Sequence, residues 1–313
     1  MVNYILRRLG AGLALLFGVS FVAYLFLYLG SGNVARNILG VNATEADVLR
    51  LTQELGLDRS FFEQFFSWLI SAVQLDLGEA WTRPLPVAQI IGERLSVTLM
   101  LVTLTTILAG IVAVILGVLA AVNGGAIDRF VQFIGLIGFA VPGFIIAMLL
   151  VTVFAIQIPI FSAVGYVQPD VDFEGFLKSV TLPVIALALS GIAAISGQVR
   201  GSVKDALDSD YVRTLRARGL SFNRVVLKHI LRNAGGPALS VMGLQFVGMM
   251  GGAIIIEQIF AIPGLGPFTV LATNKSDIPS VMGLVIVTAI IVVVVNLIID
   301  LLSAALNPKI RIA

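Results

Sequence analysis

The chain of 313 residues contains no cysteine and only one histidine, His229. Without cysteine there can be no disulfide bond, no thiolate metal site and no cysteine nucleophile, and a single imidazole cannot form a zinc cluster. Charged residues are scarce as well, at 12% of the chain, whereas a soluble domain carries about 25%. Since 58% of the residues are hydrophobic, the composition predicts a protein surrounded mainly by lipid.

The motifs of several enzyme classes are also missing. No Gly-Lys dipeptide occurs, so the chain has no Walker A loop to hold the phosphates of ATP. The G-x-S-x-G, H-E-x-x-H and dinucleotide-binding patterns do not occur either. The net charge of +2 is too small to indicate nucleic acid as a partner. We therefore expect no catalytic residue, no metal site and no cofactor bound by this chain.

Six long apolar stretches have the length of membrane-spanning helices. The first, residues 9–29, is uncharged and would reach about 32 Å as a helix, enough to cross a hydrocarbon core of about 30 Å. The other five are residues 95–122, 130–155, 179–198, 235–256 and 281–306. Pro142 lies inside the third stretch and predicts a kink there, because proline removes a backbone donor. The predicted fold class is an all-α, polytopic membrane protein with six transmembrane helices.

The polar segments between these stretches set the orientation. The predicted cytoplasmic segments are residues 1–8, 199–234 and 307–313, and the predicted extracytoplasmic segments are 30–94, 156–178 and 257–280. This arrangement places most of the 20 Lys and Arg residues on the side of the two termini. Because basic residues collect in cytoplasmic loops, the N- and C-termini are predicted to be cytoplasmic.

The extracytoplasmic insert contains a signal for a further helix. Ser60 and Glu63 have the spacing of a capping box, in which each side chain binds the other residue's backbone N–H group. The aromatic residues that follow are too few to span a membrane. We expect an interfacial helix near residues 61–75, lying at the membrane surface.

The cytoplasmic segment 199–234 predicts two short helices separated by Gly219. Asp208 or Ser209 is placed to cap the first helix, and Gly219 to end it in a left-handed conformation. Ser221 is placed to cap the second, from about residue 222 to 233. Two interpretations remain open, since such a helix pair suits a docking surface, whereas cytoplasmic loops collect basic residues in any case.

The second helix has two distinct faces. The spacing of four residues puts Arg224, Lys228 and Arg232 on one face. The same spacing puts Phe222, Val226 and Ile230 on a neighbouring, apolar face. His229 lies in the same helix, where a solvated position or contact with lipid headgroups is favoured over catalysis.

Two features of the later spans each allow two interpretations. Gly248 and Gly252 have the GxxxG spacing that allows helix backbones to approach closely, and Gly251 lies beside them. These glycines predict a close approach of two helices, or only the ordinary glycine content of a membrane helix. Asp300 is the one acid that we place within a span, where a helix-packing or interfacial position is favoured over an ion site.

Segments along the whole chain resemble the permease subunit of bacterial binding-protein-dependent ABC importers, in particular the B-type subunit of the oligopeptide, dipeptide and nickel group. The most specific are residues 210–220, DYVRTLRARGL, and 229–233, HILRN, which are similar to that group's cytoplasmic EAA loop. The others are residues 4–8, 55–58, 76–78, 93–95, 257–266 and 307–311. Two positions and one stretch depart from the common pattern: Arg213 replaces a Glu, Arg232 replaces a Pro, and residues 30–32 read Gly-Ser-Gly where members often read Pro-Gly-Asp.

The resemblance implies a type I importer permease fold in the bacterial cytoplasmic membrane and a set of partners. These are a homologous second permease subunit in a heterodimer, two ABC ATPase subunits that bind ATP and Mg, and an extracytoplasmic substrate-binding protein. It also implies a site of contact with an ATPase subunit at Tyr211, Arg213, Leu215, Arg216, Ala217, Arg218 and Gly219. Packing against the second permease is expected at Gly248, Gly251 and Gly252.

The resemblance leaves the cargo open between short peptides, nickel chelates, sugars and other small solutes. The expected function is a permease subunit that forms half of a translocation pathway for short peptides or a similar solute. Two alternatives are an ion-driven carrier or channel acting without ATPase partners, and a structural subunit of a membrane assembly. The scarcity of ionisable residues in the spans disfavours an ion-driven carrier.

Overall fold

The computed structural model describes residues 2–30, 34–40 and 42–306, and this part of the chain is almost entirely helical. The helices are α1 (Val2–Gly30), α2 (Val34–Leu39), α3 (Glu45–Glu54), α4 (Phe61–Val73), α5 (Val87–Asn123), α6 (Gly125–Ala140), α7 (Gly143–Val151), α8 (Phe173–Leu207), α9 (Asp210–Ala217), α10 (Phe222–Val225), α11 (Leu231–Ile259), α12 (Leu265–Asn274) and α13 (Ile278–Leu306). Short π-helical stretches follow α7 and join α10 to α11. The described residues contain one isolated bridge, between Glu79 and Pro86, and no β-strand. The predicted all-α class is confirmed.

Five helices in the described part of the chain are long and apolar enough to cross a membrane. A sixth span results if α6 and α7 are counted together with the π-helical Thr152–Gln157. The axis turns by 99° between them, which is a break rather than the kink that the sequence predicts. The helix breaks there for two reasons. Val141 has an extended backbone, and the next residue, Pro142, has no N–H group to donate to the helix.

Several predicted boundaries differ from the helices observed. α8 continues to Leu207, so the polar segment after the fourth span is shorter than residues 199–234. The outer loop predicted at 257–280 contains α12, which the sequence analysis missed because the Pro263–Pro267 stretch favours a turn. The predicted tail, residues 307–313, and the Gly-Ser-Gly departure at 30–32 fall wholly or largely outside the described residues.

The described part of the chain forms two compact units, one of which contains residues 98–262 and 294–306. Within this unit α8 packs against α6, α7 and α11. The approach of α6 to α8 depends on Gly138, because a Cβ atom there would lie 2.8 Å from Cβ of Ala193 and 3.0 Å from the carbonyl oxygen of Leu189. α8 is therefore the central helix of this unit.

The second unit contains residues 2–97 and 263–293. Its α4 packs on α1 through an aromatic cluster centred on Phe65, which is fully buried and contacts Phe21 and Tyr24 edge to face. The predicted capping box is confirmed, since Ser60 and Glu63 bind each other's backbone N–H groups. The hydrogen bonds from Ser60 hold the pKa of Glu63 below its usual value.

A buried carboxylate at Asp277 organises the start of α13. Its Oδ2 accepts hydrogen bonds from the backbone N–H and the hydroxyl of Thr82, at 3.1 and 3.0 Å. Its Oδ1 accepts the backbone N–H of Ser280 at 3.2 Å, which satisfies one of the free donors at the helix N-terminus. Asp277 therefore joins the segment before α5 to the first turn of α13.

We expect Asp277→Ala to lower the free energy of unfolding by about 2–4 kcal/mol, because one buried donor on Ser280 and two half-buried donors on Thr82 lose their acceptor. Thermal unfolding of the purified protein in detergent would measure this as a lower melting temperature. Asp277→Asn keeps one acceptor oxygen and should be intermediate. An Asp277→Ala variant that melts like the wild type would show that the three hydrogen bonds contribute little.

Candidate functional site

The short helix α9 is anchored on one face to the core of the first unit. Val212 is buried in a cluster with Val203 of α8 and with Val226 and Ile230, which precede α11. Leu215, one turn later, is half-buried against the same cluster. α9 therefore shares one apolar core with α8 and α11.

The opposite face of α9 is exposed and basic. Six of the seven residues expected to contact an ATPase subunit are exposed: Tyr211, Arg213, Arg216, Ala217, Arg218 and Gly219. The seventh, Leu215, is half-buried, so most of its apolar surface serves the core cluster. The ion pair between Arg213 and Asp210 spans 3.5 Å between well-exposed side chains and contributes little to stability.

Gly219 ends α9 as predicted, with a left-handed φ of 86°. Its N–H donates to the carbonyl oxygen of Arg216 at 2.9 Å, and the N–H of Leu220 donates to that of Leu215 at 3.3 Å. This pair of hydrogen bonds is a Schellman motif, and its usual apolar contact is supplied by Leu215 and Leu220, which pack on the same core cluster. The turn after α9 therefore has a fixed geometry.

The predicted side-chain caps at Ser209 and Ser221 do not form.

The second predicted helix does not end near residue 233. α10 passes through the π-helical stretch Val226–Ile230 directly into α11, so this helix is the first part of the fifth span. Pro237 lies inside α11 and removes one backbone donor, while Ala234, Gly236 and Ala238 around it are buried. Packing therefore maintains the helix where Gly-Gly-Pro predicts a break. The predicted apolar face is confirmed, since Phe222 is half-buried and Val226 and Ile230 are buried.

Two polar contacts join α9 to this helix. The guanidinium group of Arg216 lies over the ring of Phe222, 5.4 Å from its centroid. The Nδ2 atom of Asn233 donates to the hydroxyl oxygen of Tyr211 at 3.2 Å. The second contact connects the two sequence segments, 210–220 and 229–233, that carry the resemblance to the EAA loop.

An ion pair that the sequence analysis did not foresee joins α8 to α6. The guanidinium group of Arg200 binds both carboxylate oxygens of Asp128, and its second hydrogen bond, from Nη2 to Oδ2, measures 2.7 Å. The side chains are only 24% and 18% exposed. This bidentate pair connects α8, which is separated from α9 by two residues, to the start of the broken span at α6.

We expect Arg200→Ala to lower the melting temperature of the purified protein, because it leaves the Asp128 carboxylate without its bidentate partner. In a double-mutant cycle with Asp128→Ala, the two single substitutions should not be additive in thermal unfolding. The matched control is Arg50→Ala, which removes an exposed pair with Glu54 and should cost less than about 1 kcal/mol. Equal effects of Arg200→Ala and Arg50→Ala would show that the Arg200–Asp128 pair stabilises the fold no more than an exposed ion pair does.

The three glycines of α11 have different surroundings. A Cβ atom at Gly248 or Gly251 would meet no atom within 4 Å, and both glycines are exposed. A Cβ atom at Gly252 would lie 3.3 Å from Cδ2 of Leu187, so Gly252 already packs on α8. The chain therefore leaves Gly248 and Gly251 open on one side of α11.

The sequence analysis placed Glu257 in an outer loop and left Asp300 as the one acid within a span. This placement is corrected, because Glu257 lies in the last turns of α11 and is fully buried. Its Oε1 accepts a hydrogen bond of 2.6 Å from the hydroxyl of Thr98. Asp300 lies half-buried within α13. No sequence signal marks the pairing of Glu257 with Thr98, since the two residues are 159 positions apart.

Comparison with known families identifies the chain. Residues 113–312 match the family described as "Binding-protein-dependent transport system inner membrane component". Residues 1–102 match the N-terminal family of the same membrane components. The chain belongs to this family. It is a multi-pass membrane permease of a binding-protein-dependent ABC importer.

Curated relatives match this permease over nearly its whole length. A probable peptide ABC transporter permease of Sinorhizobium fredii is 35% identical, with 98% of this chain and 99% of the relative covered. The oligopeptide transport system permease AppB of Bacillus subtilis is 33% identical, with 99% and 100% covered. The glutathione transport system permease GsiC of Escherichia coli K12 is 36% identical, with 99% of each covered.

A solved structure shares the fold. An inward-facing structure of the MetNI methionine ABC transporter contains a chain that aligns with a TM-score of 0.57 and 17% sequence identity. The alignment covers 70% of this permease and 97% of that chain. The predicted importer permease fold is confirmed by this similarity.

Proposed function

We propose that this permease forms half of the translocation pathway of an ATP-driven importer, and that its cargo is short peptides. The observation that carries the proposal is the arrangement of α9, which has an exposed basic face outside and an apolar anchor on α8 and α11 inside. The relatives named for peptides, oligopeptides and glutathione support a cargo that contains peptide bonds. An ion-driven carrier would not need such a docking helix.

Two ATPase subunits that bind ATP and Mg supply the energy for transport, while this permease binds neither cofactor. The exposed residues Tyr211, Arg213, Arg216, Arg218 and Gly219 form the contact with one ATPase subunit, together with Ala217 and the exposed part of Leu215. Closure of the ATPase subunits displaces α9. Because α9, α8 and α11 share one apolar cluster, this displacement reorients the membrane helices.

A homologous second permease supplies the other half of the pathway. The open surface at Gly248 and Gly251 supports close packing of α11 against that subunit, since helices in membranes associate through small residues. Gly252 contributes less, because it packs on Leu187 within the chain.

The orientation follows from the distribution of basic residues. Both termini and α9 lie in the cytoplasm of a bacterial cell, and the segment between α1 and α5 lies outside the cytoplasmic membrane. There a substrate-binding protein delivers the cargo. The aromatic helix α4 lies at the outer surface of the cytoplasmic membrane, at the boundary between lipid and water, where aromatic side chains are favoured.

Reconstitution tests the proposal. The permease is inserted into liposomes with the second permease and the two ATPase subunits, and uptake of a labelled tripeptide is followed with the binding protein outside and ATP inside. We expect uptake only when ATP and all partners are present. Uptake by the permease alone under an ion gradient would favour the carrier instead. Uptake of a nickel chelate or a sugar but of no peptide would overturn peptides as the cargo.

A further inference from the structure

A cavity of about 340 Å³ lies at the break between α6 and α7, within the same unit as α9. Pro142 and Gly143 border it at the break, Ser190 borders it near the middle of α8, and Gln245 and Gly248 border it on α11. Its volume is at the lower end of the range for small-molecule pockets, about 300–1,000 Å³. The position of Ser190 and of the break places the cavity midway along the spans.

The break itself indicates that this cavity is not exposed to lipid. Pro142 and Gly143 are exposed within the single chain, and the helical hydrogen-bond ladder is interrupted there. Irregular backbone at membrane depth is tolerated only where it is buried in protein or lines a water-filled space. The surface at the break therefore faces a partner subunit, water or the cargo.

The polar side chains of the cavity lead to the same conclusion. Within the described part of the chain, the hydroxyl of Ser190 and the amide of Gln245 make no hydrogen bond to another residue. Leaving such groups without partners in hydrocarbon is costly. No charged side chain is among the described residues that line the cavity. The cavity thus combines open, neutral hydrogen-bonding groups with a largely apolar wall.

Gly248 belongs both to this cavity and to the open side of α11. A second permease subunit seated on Gly248 and Gly251 would therefore leave the cavity between the two subunits, where the pathway runs.

We propose that this cavity binds the backbone of the peptide in transit, an inference that rests on the proposed function as a peptide importer. A peptide group offers one donor and one acceptor, and both the Gln245 amide and the Ser190 hydroxyl can donate and accept. Because the wall is uncharged, it does not select among acidic, basic and apolar peptides.

The test uses the complete importer in liposomes and three tripeptides with acidic, basic and apolar side chains. We expect the double variant Ser190→Ala/Gln245→Leu to reduce the uptake rate of all three by a similar factor, about tenfold, as the loss of two neutral hydrogen bonds implies. The matched control is Ser240→Ala on α11, whose hydroxyl bonds to the carbonyl oxygen of Gly236 in its own helix. This control should transport all three peptides at the wild-type rate.

The outcomes separate this inference from the proposed function. Normal uptake by the wild type together with normal uptake by the double variant would overturn the inference alone, as would a loss confined to one charge class. A wild-type importer that moves none of the peptides would overturn the proposed function and the inference together.

If the double variant does not assemble, Ser190→Cys provides the second measurement, since the chain has no other cysteine. Peptide-loaded binding protein and ATP should then slow maleimide labelling of Cys about threefold or more, and unchanged labelling would overturn the inference.

Discussion

Replacing Gly219 by proline should abolish ATP-driven uptake. The backbone φ of 86° at Gly219 lies far from the value of about −65° that proline requires. Proline would also remove the N–H that donates to the carbonyl oxygen of Arg216. The combined cost of about 3 kcal/mol or more corresponds to a loss of about hundredfold in the population with α9 correctly placed. We expect uptake in liposomes to fall by a similar factor.

The control for this substitution is Gly219→Asn, because asparagine tolerates the left-handed conformation better than other side chains. It should retain most of the uptake. Binding-protein-stimulated ATP hydrolysis provides a second readout, and Gly219→Pro should lower it together with uptake. Full uptake by Gly219→Pro would show that the turn after α9 has no part in coupling.

Leucine at Gly248 or Gly251 should separate the two permease subunits. Both positions have open space in the single chain, so the variants should fold normally by themselves. In a close contact between helices, however, the added side chain would force the backbones apart. We expect the amount of second permease that co-purifies with the chain to fall about tenfold or more.

Gly135→Leu is the matched control, because it also places a side chain into open space but lies on α6. It should leave co-purification unchanged. The melting temperature of each variant alone checks the fold. If Gly248→Leu and Gly251→Leu both retained the second permease at the wild-type level, the packing surface would have to lie elsewhere.

The features that the sequence predicts well are local ones. The capping box at Ser60 and Glu63 and the left-handed turn at Gly219 each depend on residues within a few positions of one another, so the pattern determines the geometry. The apolar face of Phe222, Val226 and Ile230 follows from helical spacing in the same way. The exposed basic face of Arg224, Lys228 and Arg232 follows from the same spacing, whereas the contact expected on α9 came from the family resemblance.

The features that sequence analysis missed depend on distant parts of the chain. Arg200 and Asp128 are 72 residues apart, and neither has a local pattern that indicates its partner. Glu257 was assigned to the loop at 257–280, yet it lies in α11, where the hydroxyl of Thr98 on α5 donates to its carboxylate. The continuity of α10 with α11 was missed because local propensity at Gly-Gly-Pro favours a break, whereas burial of the neighbouring residues maintains the helix.

The central claim is that α9 connects this permease to an ATPase. The most direct measurement is purification of the chain from its native membrane, identification of the associated chains by mass spectrometry, and an assay of ATP turnover. The account predicts a homologous permease and two ATPase subunits in the complex, with turnover raised by peptide-loaded binding protein and not raised in a complex carrying Gly219→Pro. A chain that purifies without any ATPase, or a complex whose stimulated turnover is unaffected by Gly219→Pro, would contradict it.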